Sequence, residues 1–204
     1  MMIYLYENLA EYSDESYLKH LNALPAWRKE KALQYKKLDD RKRCVFAFVL
    51  LQHALREKYG ITEVPEFVYN EFGKPSLPNL PIHFSLSHCK DAVACAVSDH
   101  NIGIDVEGIV PYNPDVARRV CTAAELEMLE QSDNKDVDFI KLWTIKEAIS
   151  KYEEMGLSLP FVEITISKYL TYTEHYADKN CFVSVCYGKL GNKIKIPTIK
   201  KLIF

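Results

Sequence analysis

A large excess of positive charge is missing from this 204-residue chain: 26 lysines and arginines stand against 28 aspartates and glutamates, a formal net charge of -2. A general nucleic-acid binder draws its affinity from neutralising phosphates, so that class is not expected. Long hydrophobic runs are missing too. The longest, Cys44–Leu51, is far shorter than the roughly 20 residues of a membrane-spanning helix. Met1–Glu7 has neither the basic flank nor the sustained apolar core of a secretory signal. The expectation is a soluble, cytoplasmic protein with no membrane partner. Six cysteines are present, Cys44, Cys89, Cys95, Cys121, Cys181 and Cys186, but no C-x-x-C pair. That weakens zinc and dithiol readings, and scattered thiols suggest a reducing compartment. Gly-x-Ser-x-Gly is absent, which disfavours a hydrolase nucleophile elbow, and no glycine-rich P-loop occurs. No long Gly/Ser linker divides the chain.

What is present is an ordinary globular composition, 48% hydrophobic and 26% charged. Ile3–Glu7 reads as a strand. Ser13 caps a short helix with acids in its first turn. Pro25 suits the first turn of a second helix, through Trp27 and Leu33 to about Lys37. A long helix follows from about Asp40 to Tyr59, closed by Gly60. Its middle is apolar on every side, so it is expected to be buried all round, as the core helix of the first half. Strands are expected at about Glu66–Tyr69, Ile82–Ser87 and Ala92–Ser98, with a turn-rich loop, Gly73–Pro78, between the first two. The polar Asp99–Asn101 predicts a hairpin pairing Ala92–Ser98 with Ile102–Glu107. Thr122-Ala123-Ala124-Glu125 is a capping box opening a helix to about Glu130. A helix over about Val137–Glu153 carries an apolar stripe at Leu142, Ile145, Ile149 and Tyr152, with Trp143, Glu147 and Lys151 opposite. Strands at Ser158–Ser167 and Cys181–Tyr187 finish the chain, with a polar loop near Tyr172–Asn180. The fold expected is α+β, with two similar lobes (pseudo-two-fold), each a small antiparallel sheet packed on a long helix. The lobes span 1–100 and 101–204, and a ligand would bind where they meet.

The chemistry centres on two segments. Asp105 and Glu107 share one face of a strand, because successive side chains alternate. Glu147 and Lys151, four apart, share one face of a helix. If the two elements pack together, three carboxylates and an ammonium converge. Hard oxygen donors suit Mg²⁺, which commonly shares its shell with substrate phosphates. Each half also has a plain reading, as solvated acids at a strand end and as a surface ion pair. Gly103 permits close backbone approach to a ligand. His88, with the Ser87 hydroxyl, is either a loop residue or a phosphate ligand. Arg28, Lys31 and Arg43 are either a solvated basic face or phosphate contacts.

Taken in order, five blocks resemble the 4'-phosphopantetheinyl transferases, of the larger monomeric type that activates peptide and polyketide synthetases. They are Phe72-Gly73-Lys74-Pro75, Phe84-Ser85-Leu86-Ser87-His88, Ile102-Gly103-Ile104-Asp105-Val106-Glu107, Leu142-Trp143-Thr144-Ile145-Lys146-Glu147-Ala148 with Lys151, and Gly156-Leu157-Ser158-Leu159-Pro160. The resemblance covers nearly the whole chain. It implies coenzyme A as donor, a serine of an apo acyl or peptidyl carrier protein as acceptor, and adenosine 3',5'-bisphosphate as leaving group. It implies that Asp105, Glu107 and Glu147 hold Mg²⁺ against the pyrophosphate, with Lys151 beside them and Glu147 as general base. Arg28, Lys31, Arg43 and His88 would surround the 3'-phosphate, while Gly73, Lys74 and Pro75 line the adenine site. Ala47 departs from the glycine common in the family, which bears on the placement of Arg43. Two other readings are a coenzyme A-binding protein without transferase activity and an interaction protein whose charged residues are surface ion pairs.

Overall fold

A computed structural model describes residues 1–176, 180–192 and 194–201. The architecture is mixed α and β, and its strands show why each sheet is covered on both faces. In β1 (Met2–Tyr6), Ile3 and Leu5 point into one apolar cluster while Tyr4 and Tyr6 point into another. β5 (Val93–Ser98) divides the same way: Ala94 and Ala96 face one side, Val93, Cys95 and Val97 the other. The period of two thus feeds two cores from one sheet. That sheet runs β4 (His83–His88), β5, β1, β9 (Thr198–Lys201), and β9 adds in parallel to β1. A second sheet runs β6 (Gly103–Gly108), β8 (Cys181–Lys189), β7 (Tyr169–Tyr176), antiparallel throughout.

Each sheet has its helices. On the first, α1 (Asp14–Ala23), α2 (Ala26–Leu33) and α3 (Leu38–Tyr59) build a core around Phe46, Phe48, Leu50 and Leu51, all fully buried. The expectation for α3 holds: Cys44 to Phe48 are buried in succession, and Gly60 closes it at φ 71°, in the left-handed region that glycine tolerates. Ser13 caps α1 through its hydroxyl. On the second sheet, α4 (Pro114–Val120), α5 (Ala123–Glu130) and α6 (Lys135–Tyr152) pack against Phe182 and Cys186. Between the sheets lies a third cluster, with Ile3, Leu5 and Ala96 on one side and Ile104, Val106 and Val183 on the other. The small alanines of β5 let the two sheets approach closely. No helix among the described residues is long and apolar enough to cross a membrane.

Several expectations need correction. β5 and β6 do not form a hairpin: both edges of β5 are taken, by β4 and β1, and β6 pairs with β8 in the other sheet. Asp99–Asn101 is therefore a crossing, pinned by the Tyr59 hydroxyl donating to Asp99 (2.7 Å) and by Asn101 donating to the Tyr152 carbonyl. Ser158–Ser167 is not a strand but part of three successive 3-10 turns, Gly156–Ser158, Phe161–Glu163 and Ile166–Lys168. Pro160 cannot donate to a ladder, and the buried Phe161 and Ile164 are three apart, the 3-10 repeat. Tyr172–Tyr176 belongs to β7 rather than to a loop, and 177–179 lie outside the described residues. The strand expected at Glu66–Tyr69 shrinks to β2 (Val68–Tyr69), paired with β3 (Pro75–Ser76). The second helix ends at Leu33. α6 is not a one-striped helix, since Thr144, Lys146, Ala148 and Ser150 are buried as well.

Candidate functional site

β6 sets the floor of the site. Ile104 and Val106 are buried between the sheets, so Asp105 and Glu107 turn to the face that meets α6. The strand is tied sideways to β4, where the Ser85 hydroxyl accepts from the Ile104 amide at 3.0 Å. Asp105 is only 2% exposed. Its Oδ1 accepts from the Ser87 hydroxyl at 2.8 Å and from the Lys151 ammonium at 2.6 Å. Lys151 also donates to Ser87 Oγ at 3.0 Å, closing a triangle of three side chains from β4, β6 and α6. The second oxygen, Oδ2, is buried with no hydrogen-bond partner among the described residues.

α6 supplies the wall, and two features fix where it lies. Gly103 opens β6 directly against it: a Cβ there would stand 2.5 Å from the Tyr152 nitrogen and 3.0 Å from the Lys151 carbonyl carbon. The close approach this glycine permits is therefore to the helix backbone, not to a ligand. Lys146, fully buried, donates to the carbonyls of Val120 (2.8 Å) and Phe161 (2.9 Å) and to Glu125 Oε2 (2.6 Å). The same Glu125 closes the capping box of α5, accepting from the Thr122 amide. One buried ammonium thus welds three segments to α6. Trp143, half-buried, packs its ring 6.2 Å from Phe139 and 6.0 Å from Phe161.

The acids press on one another. Burial pushes the Glu107 carboxyl up to about 8, with the Asp105 charge adding to it. Burial also raises Glu147, where the Lys151 ammonium pulls the other way. These groups line one cavity of about 470 Å³. Its lining draws Asp105 and Glu107 from β6, Glu147 and Lys151 from α6, Ser87 and His88 from β4, Arg28 and Lys31 from α2, and Gly73 and Pro75 from the turn before and at β3. Arg28 is held rigidly, only 8% exposed. It donates to the Cys44 carbonyl at 3.0 Å, and its guanidinium lies 5.3 Å from the Phe48 ring centre and 5.8 Å from that of Phe67.

Two candidate residues do not border this cavity. Arg43 pairs with Asp40 and faces a separate hollow beside Lys42 and Lys90. Lys74 sends its ammonium to the end of α6. Conversely Tyr35, Cys44, Ala47, Phe67, Tyr69 and Leu86 line the cavity without having been singled out for it by their sequence. Exposed tyrosines beside a basic helix were a usable signal. Cys44 gave none, since within an all-apolar helix nothing marks the face that borders a cavity; Ala47 stood out only as a departure from the family's glycine, not as a lining residue.

The donor set is all oxygen. Among the described residues, no group of three or more histidine, cysteine, aspartate or glutamate side chains is arranged to hold a metal ion as placed. Their chemistry nevertheless fits a hard divalent cation. Asp105 presents an unpartnered buried oxygen, and Glu107 and Glu147 border the same space with their charged forms disfavoured.

A family model described as the 4'-phosphopantetheinyl transferase superfamily matches residues 101–190. The chain is similar to a 4'-phosphopantetheinyl transferase of Bacillus subtilis, 32% identical over 71% of this chain and 66% of that protein. It is similar to 4'-phosphopantetheinyl transferase Sfp of Bacillus subtilis strain 168, 29% identical over 80% of this chain and 74% of the relative. It also resembles 4'-phosphopantetheinyl transferase ffp of Bacillus subtilis, 30% identical over 76% and 70% respectively. The chain spans about two thirds to three quarters of the length of these relatives.

Proposed function

The chain belongs to the 4'-phosphopantetheinyl transferase superfamily and is a transferase of that kind, and from that premise we propose how its own residues perform the transfer. The donor is coenzyme A and the acceptor a serine of an apo acyl or peptidyl carrier protein. The observation that carries the reading is a single cavity whose lining includes three carboxylates and Lys151, from β6 and α6, together with Arg28 and Lys31, from α2. A donor with a phosphate at one end and a pyrophosphate in its middle matches that division of charge.

Arg28, Lys31 and His88 would receive the 3'-phosphate. Arg28 is the strongest anchor, because its guanidinium is already desolvated against two rings. Arg43, bonded to Asp40 through one amino group and near enough to His88 to add to burial in lowering its pKa, would join them with its remaining donors. Gly73 and Pro75 form the adenine side. Asp105, Glu107 and Glu147 would hold Mg²⁺, which when bound neutralises pyrophosphate charge. Lys151 contributes a further positive charge to the oxygens that gain charge as the bond breaks. Glu147 takes the proton of the attacking serine hydroxyl. Its raised pKa suits a base better than an ordinary glutamate does, because proton-transfer efficiency peaks when the pKa nears the working pH. The serine oxygen bonds to the β-phosphorus, the bond to the leaving phosphate oxygen breaks, and adenosine 3',5'-bisphosphate departs. Phosphoryl transfer needs positioning and charge neutralisation more than covalent help, and this cavity supplies both.

We assign residues 1–100 to a nucleotide-binding lobe, whose sheet β9 (Thr198–Lys201) completes beside β1, and the described residues from 101 to β8 to a catalytic lobe, the two related by a pseudo-two-fold. The protein acts as a cytoplasmic monomer, without nucleic acid or membrane. Incubation with Mg²⁺, coenzyme A and a panel of apo carrier proteins, read by intact mass, should show addition of phosphopantetheine to at least one. No addition across unrelated carriers rejects the transfer. Calorimetric binding of coenzyme A without turnover would instead support a binding protein.

A further inference from the structure

Lys74 sits between Gly73 and Pro75, which line the cavity, yet its own charge is used elsewhere. Its Nζ lies 2.7 Å from the Lys151 carbonyl oxygen, 3.0 Å from Asn101 Oδ1, 3.2 Å from the Ile102 carbonyl oxygen and 3.3 Å from Glu154 Oε1. An ammonium has three protons, so these four acceptors saturate it. The Lys151 carbonyl belongs to the last turn of α6, where free carbonyls and the negative end of the helix dipole attract a cation. Asn70, in the same turn as Lys74, repeats the connection: its side-chain amide donates to the Glu154 carbonyl at 2.8 Å. The Asn70 Oδ1 meanwhile accepts from the amides of Phe72 (3.0 Å) and Lys74 (2.8 Å), shaping the turn itself. Asn101 completes the clamp by donating to the Tyr152 carbonyl.

The turn that forms one wall of the cavity is therefore fastened to the end of the helix that forms another. That helix carries Lys151, whose ammonium reaches Asp105. We infer that Lys74 is a positioning residue: its side chain sets the distance between the Gly73–Pro75 wall and the reacting centre, and its ammonium does not itself touch the donor. The inference rests on the donor site proposed above.

Lys74→Met, Asn101→Ala and the double variant test it, because Asn101 does not line the cavity. Calorimetry with coenzyme A and Mg²⁺ should show each single variant weakened by ~10-fold or more, as expected when a binding wall shifts. The double variant should bind no more weakly than the weaker single, since one clamp can be opened only once. The KM for carrier protein should stay at its wild-type value. Three results overturn the inference: Asn101→Ala binding like wild type while Lys74→Met does not, the two losses multiplying, or melting temperature falling with coenzyme A affinity unchanged. If Lys74→Met does not fold, Glu154→Gln takes its place in the same comparison. A wild-type protein that binds no coenzyme A rejects the donor site, and this role for Lys74 with it.

Discussion

Replacing Gly103 by alanine adds one methyl group at the joint between β6 and α6. The new carbon would stand 2.5 Å from the Tyr152 nitrogen and 3.0 Å from the Lys151 carbonyl carbon, with the Ala148 carbonyl oxygen also in its path. All three are helix backbone, so no side-chain rotation relieves the clash. Favourable contact between such atoms begins near ~3.5 Å, so strand and helix must part by more than ~1 Å, the Ala148 carbonyl oxygen being the nearest of the three. Overpacking of this kind costs about 1–3 kcal/mol, which in a domain of this size lowers the melting temperature by roughly 2–12 °C. The kinetic cost should be larger in proportion. Glu147 and Lys151 ride on the helix, Asp105 and Glu107 on the strand, and a misplacement of ~1 Å between reacting groups can cost ~10²-fold. Gly108, at the far end of the same strand, is the control: its nearest obstacle is the Asn180 carbonyl oxygen at 4.0 Å. Steady-state transfer should be measured below the melting transition of both variants. If Gly103→Ala keeps wild-type kcat/KM, or if Gly108→Ala loses as much, the helix–strand joint does not position the site.

Glu147→Gln should abolish transfer while leaving the melting curve unchanged or slightly raised, since burial already disfavours the charge; a large thermal loss would make the residue structural. Lys146→Met leaves the Val120 and Phe161 carbonyls and Glu125 without their shared cation. It should cost about 3–5 kcal/mol in denaturant unfolding, and a loss below about 1 kcal/mol would refute the weld. Glu107 has its folded pKa raised to about 8, so the folded state holds its proton longer than the unfolded chain does. In metal-free protein its contribution to stability is therefore complete at low pH and declines as pH rises from the ordinary carboxylate range through about 8. After discounting for solvent screening, the decline should be on the order of 1–2 kcal/mol. Glu107→Gln, melted across the same pH range, should flatten it, and an unchanged slope would show that another group is responsible.

Much of the fold was legible because it rests on local signals. Ser13, the Thr122 capping box, Gly60 and the all-apolar middle of α3 each act within a few residues of themselves, and each lies where its chemistry requires. The misread segments share another cause. Ala92–Ser98 and Ile102–Glu107 look like a hairpin in sequence, but the edges of β5 go to β4 and to β1, the latter far earlier in the chain. Gly156–Lys168 is apolar enough for a strand, but its buried residues answer to α4 and α6, which only a packed structure supplies. The candidate site shows the same division. Residue types and spacing singled out Asp105, Glu107, Glu147 and Lys151, because alternation in a strand and four-residue spacing in a helix are properties of the backbone alone. That Lys74 turns away from the cavity and Arg43 pairs with Asp40 could not be read, since a lysine or arginine shows its partner only in three dimensions.

The amino-acid order by itself determined which side chains share a face, where Ser13, Thr122 and Gly60 cap their helices, and which acids could act together. Those are consequences of backbone periodicity and of hydrogen bonds to near neighbours. Only the tertiary structure decided which sheet each strand joins, that Gly103 exists to seat a helix, and that Ser87 completes the triangle with Asp105 and Lys151. Such contacts join residues far apart in the chain, and their free energy is realised only once the intervening segments have packed.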